Sequence, residues 1–234
     1  MPRVPTVLSS AGSTAASAVG HGLAAAIATL RLLPRTKPLH ARGRLYDATL
    51  VVDGLHPPAG VPLLDDPGEH AALVRLSRAT GLPEGWPDIE GVAVRVPGRA
   101  GGDLLFASTG TGPVGRWVLT PHRGPGHAVT SLLPFRTAWG ATWLALVPEA
   151  EDRWQLLAAG LGGAWSPCGE MVLGAPVGSG DEQPRFEPVG SAPPGLHVPA
   201  TLARLRVPAY RWARIGHGDR AAAPADRRPD LEPG

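Results

Sequence analysis

The chain is poor in the groups that most often announce a chemistry or an environment. It holds one cysteine, Cys168, in 234 residues. No internal disulfide can form, and such sparing use fits a reducing compartment. Lysine is nearly absent: Lys37 is the only one, and arginine carries the basic side. Net charge is only +2, and outside the tail the arginines are scattered rather than clustered, which argues against a nucleic-acid partner. The basic balance suits a small anionic ligand, such as one bearing carboxylates. No run of about 20 apolar residues is available as a transmembrane segment. The Ala-rich stretch 13–35 is interrupted by His21 and Arg31 and lacks a small-x-small cleavage site, so a cytoplasmic location is expected. No G-x-S-x-G occurs, and the nucleophile elbow of a hydrolase is missing with it. A phosphodiesterase would need metal-ligand clusters that cannot be assembled here.

What the chain does have is turns. Gly 31 and Pro 27 make up about a quarter of it, and they lie between short apolar runs, a pattern of short strands. Alternation marks candidate strands at 43–52, 71–77, 90–96, 103–109, 115–120, 130–136, 141–147, 153–159 and 169–174. Most are separated by turn chemistry such as "DGLHPPAG" and "VPGRAGG". A helix is expected at about 14–33, stopped by Pro34, and another stretch at about 200–215. The fold class is then mainly β with helices (α+β), an antiparallel barrel or sandwich of about eight strands. The expected organisation is an N-terminal arm and helix over 1–36, a barrel domain over 37–215, and a disordered tail over 216–234.

Three features imitate sites. "GTGPVG" (110–115) fits G-x-G-x-x-G, but a dinucleotide fingerprint needs a helix to open there and an acid about 20 residues on. Instead Trp117, Val118 and Leu119 read as a continuing strand, so the glycines read as a turn. His122 and His127 stand without a second ligand pair and read as loop histidines. Cys168 has no neighbouring cation or histidine in sequence and reads as a small buried residue.

Four segments, taken in order, carry more. They are "LHARG" (39–43), "ALVRLSRATG" (72–81), "PDIEGVAVRVPG" with "GDLLFAS" (87–108), and "FEPVGSAPPGLHVPATLARLRVPAY" (186–210). Their order and content resemble the catalase family, whose core is an antiparallel barrel associated with haem. The first looks like the distal strand, where a histidine precedes Ala, a basic residue and Gly. The second is similar to V-R-F-S, the third to R-D-x-R-G-F-A-V-K-F followed by W-D-L. The fourth is similar to the proximal segment with F-x-P, P-P-G-I and R-x-x-x-Y. The likeness covers roughly 36–214 with gaps.

The resemblance implies haem b as cofactor and a role for each matched residue. Tyr210 is the expected axial ligand of the iron, as tyrosinate; a free phenol titrates near pH 10, so ligation needs the ferric charge and a nearby cation. Arg206, four residues earlier, supplies that cation if one helix carries both, although Pro208 between them is at home only at a helix's first turn. His40 matches the distal acid/base, a task suited to an imidazole, and Ser77 the serine that orients it. Arg75 matches a propionate-binding arginine, and Lys37 stands where the family has another.

Two departures matter. The family's distal asparagine, four residues after the Asp of W-D-L, is Ala107 here. A long helical insertion before "TSLLPFR" is replaced by about twenty residues. The expectation is a reduced barrel with a haem pocket, an oxidoreductase of weak catalase activity toward hydrogen peroxide or organic hydroperoxides. A haem-free barrel that binds an apolar small molecule, or is purely structural, is the alternative, and barrel edges offer faces for a homo-oligomer.

Overall fold

The computed structural model describes residues 42–79, 85–178, 184, 186–187 and 190–199. Within them, alternation is what builds the sheet. The strands are β1 (Arg42–Val52), β2 (Gly68–Arg78), β3 (Glu90–Val96), β4 (Gly102–Ser108), β5 (Val129–Thr130), β6 (Phe135–Thr137), β7 (Gly140–Pro148), β8 (Arg153–Gly160) and β9 (Ser166–Val177). All pairings are antiparallel, in the order β5-β4-β3-β2-β1-β9-β8-β7-β6, and β5 also pairs with β7. That last pairing closes a ring of eight strands, with β6 continuing the line of β5 along β7. Closure removes the exposed edges that an open sheet of this size must otherwise protect.

Because side chains alternate across a strand, one face of each segment fills the barrel. Leu50 and Val52, Val74, Val92, Val94 and Val96, Leu104 and Phe106, Leu144 and Leu146, Leu156 and Met171 form one buried cluster. Its β-branched members suit a pleated surface. Removing one such side chain, as in Leu50→Ala, costs about 2–5 kcal/mol. One mouth is closed by α1 (Pro62–Asp65), a single turn that buries Leu63 and Leu64. Residues 190–199 run beside it. Gly195, at φ +87, presses its Cα against the Gly60 carbonyl where any Cβ would collide, and Leu196 drops into the barrel core.

A second buried cluster lies outside the ring. Trp143 alternates with the inward Leu144 and meets Trp117 edge-on, with centroids 4.8 Å apart. Ala79, Ile89, Leu119, Leu132 and Leu133 complete it. This cluster accounts for two departures from the expected strands. Residues 115–117 form a 3-10 turn instead of a strand, because Trp117 must reach Trp143 and the Arg116 side chain must turn inward. The strand expected over 130–136 breaks at Leu132, which takes φ 56. That left-handed conformation costs roughly 1–2 kcal/mol, offset where Leu132 N–H donates to Thr130 Oγ1 at 3.1 Å and Leu133 is buried. Among the described residues the helical pieces are α1 and the 3-10 turn. The helices expected over 14–33 and 200–215, and the tail, lie outside the described residues. No helix among the described residues is long and apolar enough to cross a membrane.

Candidate functional site

The register of β1 to β4 lays the outward-facing positions in rows. Gly43, Ser77, Gly91 and Ala107 stand side by side across the four strands. Leu45, Arg75, Ala93 and Leu105 form the row below, and Asp47, Leu73, Arg95 and Asp103 the next. Adjacent strands lie about 4.8 Å apart, so the upper two rows make a floor roughly 14 Å across. Gly91, Ala93 and Ala107 carry little or no side chain on those rows, Leu45 and Leu105 stand at the two sides of the lower one, and the Arg75 guanidinium lies over Gly43.

Two of the sequence-derived site residues sit on it. Arg75 is only 8% exposed although it lies on the outer face, and burial pushes its pKa below the ordinary arginine value. Ser77 is half-buried, and its hydroxyl donates to the Gly91 carbonyl at 3.1 Å. Arg75 and Ser77 are two residues apart on β2 and share the face. Ala107 lies across Gly91 and packs against the second cluster. Lys37, His40, Arg206 and Tyr210 lie outside the described residues.

The ends of the floor are set by groups that sequence reading missed. At the lower end Arg95 donates to Asp103 through Nε and Nη2, both at 2.7 Å. Its guanidinium carries the Phe186 ring 4.9 Å away, and Asp103 also accepts the Glu187 N–H at 2.6 Å. Asp103 N–H donates to the Ser191 carbonyl at 2.6 Å. The bond to Asp103 raises the Arg95 pKa. The ion pair and the Asp103 N–H together hold Phe186, Glu187 and Ser191 to the barrel. A tight hairpin read over "RVPGRAGGD" pairs Arg95 with Asp103, which was the available signal.

At the upper end stands the second cluster, with Arg116 inside it. Arg116 is 2% exposed. Its guanidinium lies 4.7 Å from the Trp165 ring and 5.4 Å from the Trp143 ring, and it donates to the Gly160 and Gly163 carbonyls at 3.3 and 3.2 Å. It is a structural cation tying two loops together; nothing local in the sequence marks it. Beyond it, His122 and His127 stack with centroids 4.0 Å apart, and His127 N–H donates to Glu90 Oε2 at 3.2 Å. Burial, opposed by His127 and Arg78, raises the Glu90 pKa. Burial, helped by His127, lowers that of His122. Both are loop histidines, as expected from sequence, and among the described residues no three His, Cys, Asp or Glu side chains gather for a metal. Cys168 is wholly buried, its thiol pushed up to about 12 by burial, far from the thiolate that reactivity requires.

The fold defines a class, a closed eight-stranded antiparallel barrel. Solved structures show the same architecture. Catalase A from Saccharomyces cerevisiae matches with a TM-score of 0.52 at 11% identity, over 93% of this chain and 67% of its own. A bacterial catalase matches with a TM-score of 0.50 at 14% identity, over 92% of this chain and 62% of its own. At these identities the likeness is one of fold. No family profile and no curated protein matches the sequence.

Proposed function

We propose that the protein is a haem-binding oxidoreductase of the catalase-like fold that reacts with hydrogen peroxide or organic hydroperoxides, with weak catalase activity. The observation that supports this reading is a patch of small residues on the outer face, Gly91, Ala93 and Ala107, beside the buried Arg75. A planar apolar group with carboxylates on one edge suits that pairing of small residues and buried cation. In that reading Arg75 and Lys37 would hold the carboxylates of haem, Tyr210 would ligate its iron and Arg206 would support the tyrosinate, the roles that the family resemblance gives them.

Haem, when bound, supplies the iron at which a peroxide O–O bond is broken. The chain's own part is proton work. His40 accepts the peroxide proton and returns it to the departing oxygen, and Ser77 keeps that imidazole oriented. Ala107 contributes no hydrogen bond through its side chain, and the chain contains no asparagine that could replace the missing one from elsewhere. Peroxide is therefore held less firmly than in a full catalase, which is the basis for expecting weak dismutation.

One set of spectra tests the reading. Protein produced with haem supplied, or reconstituted with hemin, is expected to show a strong Soret band. Tyr210→Phe should shift or abolish it, while His40→Ala should keep it and slow the reaction with peroxide by about 10²–10⁴-fold. A colourless protein that takes up no hemin refutes the proposal.

A further inference from the structure

Residues 121–127 read "PHRGPGH", two histidines joined by a turn. Gly124 and Gly126 take φ of +80 and +87, the left-handed region that glycine enters without steric cost. The turn they make brings the His122 and His127 rings into a stack, with centroids 4.0 Å apart and planes inclined by only 15°. Both histidines are tied to β3 or to the residues leading into it. His122 exchanges two backbone hydrogen bonds of 2.9 Å with Asp88, and the His127 N–H donates to Glu90 Oε2. Just before the turn, the Thr120 N–H donates to the Ser108 carbonyl and the Ser108 hydroxyl to the Thr120 carbonyl. Just after it, β5 brings only Val129 and Thr130 to the closure of the barrel.

Two rings stacked in this way carry one proton readily and resist a second, which sets like charges at ring-contact distance. The charged groups that face them do not relieve the conflict. Arg123 lies within the turn, and Arg78 on β2 reaches Asp88 with Nε 3.6 Å from Oδ2. Glu90 is the anion beside His127, but burial raises its pKa, so its charge fades on acidification as the histidines gain theirs. We infer that the His122–His127 stack is a proton-operated clasp: with at most one proton it holds the 120–127 turn against β3, and with two it opens, freeing the turn and loosening the short β5 that closes the barrel. The clasp stands whether or not the barrel takes haem. The two rings titrate as a pair, and the second proton enters below the ordinary histidine value near 6.5.

The test is amide hydrogen exchange of the full chain, read by NMR at pH 7.5 and pH 5 and corrected for the intrinsic pH dependence of exchange. In wild type the amides of Asp88, His122, Val129 and Thr130 are expected to lose at least about tenfold of their protection at pH 5, while those of Leu50 and Val94 keep theirs, the signature of local opening. His122→Phe, which can stack but not charge, should hold its protection at pH 5. His122→Ala, which has no ring to stack, should lose at least about tenfold already at pH 7.5. The clasp is overturned if wild type keeps its protection at pH 5, if Leu50 and Val94 lose theirs in step, if His122→Phe opens as wild type does, or if His122→Ala stays closed. Should the variants fail to fold, the histidine ring protons of wild type decide. One titration step well below pH 6.5, with loss of the ring-to-ring Overhauser contact at that step, is expected; two independent curves near 6.5 with the contact intact overturn the proposal.

Discussion

The Arg95–Asp103 pair makes a quantitative prediction in which the two partners are not equivalent. Their side chains are 36% and 2% exposed respectively. In Asp103→Ala the arginine turns to water, and what is lost is three charge-assisted bonds at 2.6–2.7 Å, two from Arg95 and one from the Glu187 N–H. Bonds of this type contribute about 1.5–3 kcal/mol each in isolation. They share one carboxylate and one rehydrated guanidinium, so a net loss of about 2–3 kcal/mol is expected. In Arg95→Ala the carboxylate stays buried with one N–H donor, and breaking a buried pair in that manner costs about 3–5 kcal/mol. Replacing both residues by leucine removes the charge problem and should fall within about 1 kcal/mol of wild type. Urea denaturation read as a change in midpoint at constant m separates the three variants. The reasoning is refuted if Asp103→Ala is the more damaging single change, or if both singles lie within 1 kcal/mol of wild type.

Two further outcomes are expected. Ala107→Asn, loaded with haem, should raise oxygen evolution from hydrogen peroxide by about tenfold, since a positioned polar donor contributes at least that much; no gain would mean that the shortened β4–β5 connection is the larger obstacle. His122 has a folded pKa below its unfolded value near 6.5, so the unfolded chain binds the proton first. Its contribution to stability is complete above pH 6.5 and is lost as pH falls through the folded pKa. Urea midpoints measured between pH 7.5 and 5 should therefore decline in wild type and decline less in His122→Gln; equal slopes would remove His122 from the effect.

Much of the barrel was legible because alternation is a local signal. The expected strands at 43–52, 90–96, 141–147 and 153–159 lie within a residue or two of those observed. The failures have separate causes. Trp117 and Leu119 alternate because both pack on the outer cluster around Trp143, and period two cannot tell that from a strand. α1 is too short to show a helical period at all. Arg75 and Ser77, singled out through the family resemblance, stand on one face of β2. The close approach of Arg75 to Gly43 was not legible, because it depends on which residue lies diagonally across β1 and β2, and register is not written within either segment. Arg116 was hidden for a similar reason: its acceptors, the carbonyls of Gly160 and Gly163, come from a distant turn.

The two joints that close the barrel are unequal. β1 meets β9 along most of its length, from Leu45 to Val52. On the far side β5 offers only Val129 and Thr130 to β4 and β7. The long joint is a hinge line and the short one a latch. The loop over 109–128 leads straight into the latch. Lengthening a surface connection there adds little closure entropy. The loop over 109–128 is therefore tied to the shorter joint, and through Trp117 and Leu119 it also builds the cluster against which Ala107 on β4 packs.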